Sequence, residues 1–145
     1  MSHLAALRLE AVPVATAVAA TPALSELTRA IRLAGLTQTL NSAADLTVFA
    51  PTNSAFASLG GGTLQVLLAT KPDLIKALKF QIVRGRVTPA ELGHGRVLTT
   101  LGGTKIYPSK ASQSYQVNNA WILCGNIRTA NATVYVVNRV VIPDT

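Results

Sequence analysis

The run Thr47-Val48-Phe49-Ala50-Pro51-Thr52-Asn53-Ser54-Ala55-Phe56 is the stretch from which the rest of the chain can be read. Leu46 to Ala50 is short, apolar and β-branched, and Pro51 bounds it, so it reads as a buried strand. Proline has no N–H to donate and stops ladder pairing. Thr52 or Asn53 then offers a side-chain oxygen to the orphan N–H groups of a following helix. Ala55 and Phe56 return that helix to the core, and Gly60-Gly61-Gly62 breaks it after Leu59. Helix capping accounts for Thr52 and Asn53 better than a ligand site does, and Phe49 and Phe56 read as core residues.

Working outward, Val14 to Ala20 offers an apolar stretch and small residues, yet Glu10 precedes it and the stretch is rich in alanine. It reads as a helix at the start of the domain rather than a secretory signal. Residues 1–11 are expected to be an N-terminal extension, with one domain over 12–145. Thr21-Pro22 opens a marked helix, with Leu24, Leu27, Ile31 and Ala34 along one face, Arg29 and Arg32 elsewhere, and Gly35 as a left-handed stop. Further helices are expected over Thr63–Thr70 and Asp73–Leu78. Beyond Phe80 the pattern changes to short strands at Ile82-Val83, Val97–Leu101, Lys105–Tyr107, Tyr115–Val117 and Trp121–Cys124. A last strand from Val134 to Ile142, β-branched on both faces, is expected at the centre of a sheet. Helices first and strands afterwards argue an α+β fold in one domain.

Composition bounds the function. The chain has 145 residues, 49% hydrophobic and 13% charged, with a mean hydropathy of +0.36. That suffices for a packed core and excludes intrinsic disorder. No apolar run approaches the ~20 residues of a membrane span, so no transmembrane segment is expected. Thirteen Lys and Arg against six Asp and Glu leave a net charge of +7. Such a surface attracts polyanions, but the cations form no long run. Three Phe, three Tyr and one Trp supply a base-stacking platform poorly, so no nucleic-acid partner is expected. Cys124 stands alone, His3 and His94 are far apart, and the acidic residues are single, so no metal site is expected. No phosphate loop, dinucleotide fingerprint or nucleophile elbow occurs. The expectation is therefore no catalytic residue, no enzyme activity and no cofactor. Asn131-Ala132-Thr133 is a formal glycosylation sequon that reads as a hydrogen-bonded turn.

The opening run, Thr47, Val48, Phe49, Ala50, Pro51, Thr52, Asn53, Ala55 and Phe56, resembles the first signature of the fasciclin-type adhesion domain family. Val134, Tyr135, Val136, Val137, Asn138, Val140, Ile142 and Pro143 resemble its second. The segments Cys124-Gly125-Asn126 and Thr129–Tyr135 are similar to bacterial secreted members, among them mycobacterial surface antigens of this type. The resemblance implies a β-wedge of two packed sheets with helices along one side. It also implies a non-catalytic adhesion or interaction module, secreted or at the cell surface, whose partner is a cell-surface or matrix protein or an acidic glycan. The other reading is a carrier holding a small apolar ligand or lipid between helices and sheet. A monomer is expected.

Two departures bear on binding. Family members often carry a Tyr-His pair, associated in animal members with integrin adhesion, where this chain has Phe80-Gln81. Asn138 stands where the family usually has aspartate, which keeps hydrogen bonding and loses charge. The candidate binding residues are Phe80, Gln81, Arg84, Arg86, Tyr107 and Tyr115. Similar bacterial members can cross-link a cysteine at position 124 to one near the N-terminus. With no second cysteine here, Cys124 is expected to be a reduced, sheltered thiol.

Overall fold

The computed structural model describes residues 12–58, 65–66, 68–111, 114–118 and 120–140. Along the chain run α1 (Val14–Ala19), a 3-10 turn (Pro22–Leu24), α2 (Ser25–Ala34), α3 (Thr37–Ser42), β1 (Leu46–Pro51), α4 (Asn53–Ala57), α5 (Lys71–Lys79) and β2 (Ile82–Arg84). Then come α6 (Pro89–Gly93), β3 (Leu98–Thr99), β4 (Lys105–Ile106), β5 (Pro108–Ala111), β6 (Ser114–Val117), β7 (Ala120–Arg128) and β8 (Ala132–Val137).

The strands form a six-stranded sheet in the order β2-β1-β8-β7-β6-β5 and a two-stranded sheet β3-β4. At the centre, β1 and β8 pair in parallel with Leu46 opposite Ala132 and Pro51 opposite Val137. Every residue of both strands is buried, and period-two alternation divides them between two cores. Leu46, Val48, Ala50, Ala132, Val134 and Val136 join the helices. Phe49, Tyr135 and Val137 face the other way, onto Leu92 of α6, Leu98 of β3, Ile106 of β4 and Val117 of β6. A strand flanked by two cores has no polar face, which is why both read as continuous apolar runs. β7 carries register shifts on either side of Cys124, bulges of the kind that bend a strand. The result is the expected α+β wedge.

Helix ends account for much of the polar wiring. Pro13 and Leu24 precede α1 and α2 without capping them. Three distant asparagines cap instead. Asn131 Oδ1 accepts from the Val14 N–H, Asn41 Oδ1 from Ala15, and Asn53 Oδ1 from Glu26. At α4 the cap is local, with Thr52 Oγ1 accepting the Ala55 N–H at 3.1 Å. Gly35, at φ +71°, ends α2.

Several expectations need correction. Thr21 does not cap the helix it precedes; its hydroxyl donates back to the Ala17 carbonyl at 3.0 Å. The last strand stops at Val137, because Asn138 turns out of the ladder and bonds to Trp121 through both its backbone N–H and its side chain. Of the expected helix over 63–70, residues 65–66 and 68–69 are helical, while 63, 64 and 67 lie outside the described residues. Ile142, Pro143 and the side chain of Cys124 lie outside them too. The elements α3 and α6 come in addition to those the sequence reading expects.

Candidate functional site

Side by side, the two sequence signatures form the centre of the molecule, and their side chains mostly hold it together. Phe49 and Tyr135, paired in register across β1 and β8, stack with ring centroids 5.7 Å apart. The Tyr135 hydroxyl donates to the Val87 carbonyl at 2.6 Å. Burial, with a smaller contribution from Tyr115, pushes its phenol up to about 12. Gly125 is required above that ring, since a Cβ there would come within 2.8 Å of it.

Thr47 points into the same region. Its hydroxyl donates to the Gly85 carbonyl at 2.6 Å and accepts from the Val87 N–H at 2.8 Å. These bonds dock the 85–87 loop onto β1 and set the position of Arg86. The Arg86 guanidinium donates to the carbonyls of Ala132, Thr129 and Ala130 at 2.8, 3.1 and 3.0 Å, and to Asp45 Oδ1 at 3.3 Å. A guanidinium with this many fixed acceptors is a clamp on the turn that leads into β8.

The candidate binding residues therefore separate. Arg86 is spoken for inside the fold and is not an outward contact. Gln81 is 2% exposed; its side chain donates to the Ala77 carbonyl and its own carbonyl accepts the Phe49 N–H. It anchors β1 and is not surface-facing, so the position of the family's Tyr-His pair offers only a half-buried Phe80 ring, which lies against Gly102. Arg84 is exposed on β2. Tyr107 is 47% exposed, its N–H held by Asn118 Oδ1. Tyr115 is half-buried on β6, with Lys110 Nζ 5.8 Å from its ring centroid. β1, β8 and β7 stand between Arg84 and Tyr115 in the sheet order. The six residues do not form one site.

Asn138 Oδ1 accepts the Trp121 N–H at 2.8 Å, a task for an acceptor that needs no charge. Asn131 is equally committed, since its amide donates to the Leu40 and Ala43 carbonyls at 2.6 and 2.8 Å. The sequon is thus a structural turn. Between the helices and the sheet, a cavity lined by Val18, Leu24, Val134, Val136 and their neighbours measures about 10 Å³.

A family model described as Fasciclin domain matches residues 22–143. The chain is 38% identical over 136 residues to the immunogenic protein MPB70 of Mycobacterium bovis, an alignment covering 90% of this chain and 69% of that protein. It is also 38% identical over 136 residues to the cell surface glycolipoprotein MPB83 of Mycobacterium bovis, covering 90% of this chain and 60% of MPB83. A solved FAS1 domain pair from the insect cell adhesion molecule Fasciclin I has the same fold. Its TM-score is 0.69 at 18% identity, over 82% of this chain and 45% of that one.

Proposed function

This chain belongs to the fasciclin domain family, and from that premise we propose that it is a non-catalytic interaction module acting outside the cytoplasm, secreted or at the cell surface. It works as a monomer through one domain spanning 12–145, with 1–11 as an extension, and its partner is a surface or matrix protein or an acidic glycan. The names of its relatives support this reading. MPB83 is called a cell surface glycolipoprotein, and the structural neighbour comes from a cell adhesion molecule.

The observation that carries it is the small size of the cavity that the described residues leave between helices and sheet. A carrier of small apolar ligands needs a pocket of roughly 300–1,000 Å³, whereas the cavity between helices and sheet measures about 10 Å³. Recognition is then a matter for the surface, where the charge of +7 steers acidic partners. The test is to immobilise the domain on a biosensor and present soluble matrix proteins and acidic glycans. Saturable retention that weakens with salt is expected. A lipid or other apolar molecule co-purifying in stoichiometric amount, with no retention of either partner class, would overturn the reading.

A further inference from the structure

We propose that the groove between α1 and α2 makes this contact, and that its occupant is a segment of a partner protein carrying carboxylates among small aliphatic side chains. The proposal rests on the interaction-module reading above.

The argument starts from the helix pattern. α2 turns Leu27, Ala30, Ile31 and Ala34 into the core, which leaves Arg29 and Arg32 on its outer arc. At three-residue spacing their Cβ atoms are neighbours, about 5–6 Å apart. Ion pairs among the described residues join Arg86 to Asp45 and Arg96 to Glu91. Among the described residues neither Arg29 nor Arg32 forms an ion pair, and Glu26, three residues before Arg29, is the one acid on α2.

They flank a hollow. Arg29, Arg32, Ser25, Thr28, Leu33 and Ala19 of α1 line an open hollow of about 420 Å³. A second hollow of about 190 Å³ shares Arg32, Thr28 and Ala19 and runs on toward Thr16 and Thr37. Leu33 is 46% exposed, one of five large apolar side chains so exposed among the described residues. Neither hollow is lined by an acid. The groove thus has an aliphatic floor and two adjacent guanidinium groups, and its complement is aliphatic and anionic.

Chemistry chooses among anionic partners. The planar guanidinium fork binds a carboxylate through two parallel hydrogen bonds. Two forks one helical turn apart match acidic side chains at matching spacing on a peptide. The alanine, leucine and threonine methyl surface receives that peptide's aliphatic side chains. An acidic glycan pairs with guanidinium groups too, through sulfates and carboxylates, but it brings no aliphatic side chains to the apolar lining of the hollows.

The experiment uses the isotope-labelled full chain and three probes: a synthetic peptide alternating glutamate with leucine and alanine, its glutamine counterpart, and heparin. The expected result is saturable amide shifts confined to Ala15–Ala19 and Ser25–Leu33 with the acidic peptide, and none with the glutamine peptide. Affinity should fall about tenfold or more in R29Q/R32Q. The charge-keeping variant R29K/R32K should fall less, and it remains informative if the first folds poorly. Shifts centred elsewhere, undiminished affinity in R29Q/R32Q, or heparin binding the same amides more tightly than the acidic peptide would each overturn the proposal. If biosensor retention of a surface protein is unchanged in R29Q/R32Q, the groove assignment falls and the interaction-module reading stands. If the wild-type chain retains nothing, that reading falls, and the partner assigned here falls with it.

Discussion

Asn131 Oδ1 accepts the backbone N–H of Val14 at 2.9 Å, although 117 positions separate the two residues. The same amide group donates to Leu40 and Ala43, so one side chain joins the first helix, the end of α3 and the turn before β8. Asn131→Ala removes all three bonds and strands partly buried backbone groups. A loss of about 2–4 kcal/mol is expected, read by urea unfolding. Hydrogen exchange in α1 should accelerate more than in β1.

Tyr135 makes the domain sensitive to alkali. Its phenol is held at about 12 in the fold against 10.0 for the ordinary group, so between those values the unfolded chain binds fewer protons. Stability is then whole below pH 10 and falls as pH rises toward 12, by on the order of 2 kcal/mol. Tyr135→Phe should cost about 1–3 kcal/mol near neutrality, because the Val87 carbonyl loses its donor. It should also lack this alkaline loss. Unfolding curves of the two proteins at pH 8 and pH 11 measure the narrowing gap between them.

Asn138 serves as an acceptor for the Trp121 N–H, and a carboxylate accepts as well as an amide oxygen. Asn138→Asp should therefore stay within about 0.5 kcal/mol of wild type, whereas Asn138→Leu should cost about 1–2 kcal/mol by leaving that N–H unmet. Chemical denaturation of both variants separates a charge requirement from an acceptor requirement.

Arg84 and Arg86 are two positions apart and opposite in kind. Reversing Arg86 to Glu places a carboxylate among the carbonyls of Thr129, Ala130 and Ala132, and a loss of about 3–5 kcal/mol is expected. Reversing the exposed Arg84 should change stability by no more than about 0.5 kcal/mol and weaken retention on anionic surfaces at low salt. Thermal melts and salt-dependent retention distinguish the two.

Local signals carried most of the framework. The strand at Leu46–Pro51, the threonine cap after it and the glycine stop at Gly35 all depend on residues within a turn of one another, and each was legible. Thr88-Pro89-Ala90-Glu91 carries an equally local signal. It is a capping box with proline at the first helical position, and it opens α6. Long-range polar partners were not legible. Nothing near Pro13 or Leu24 says that asparagines from elsewhere will cap the helices that follow. Arg86 looks like any surface cation until Thr47 docks its loop against β1. Gln81 reads as a candidate binding residue for the same reason, because its neighbours along the chain say nothing of the strand it anchors. The arginines of α2 were visible only as residues outside a core face; the groove beside them depends on α1, which the spacing of α2 does not report.

The parallel pairing of β1 with β8 also bears on how the chain comes off the ribosome. β1 is complete at position 51, but its partner begins at position 132, and both halves of the core need that partner. During synthesis the central strand has only β2 beside it, and contacts this remote in sequence are slow to close. The nascent domain thus stays open until nearly the whole of it has emerged, and it then closes in one late step. Limited proteolysis of ribosome-stalled chains should show resistance only after residue 137 has left the exit tunnel. A chain that threads through a translocon before folding would have its export window set by this single strand pair.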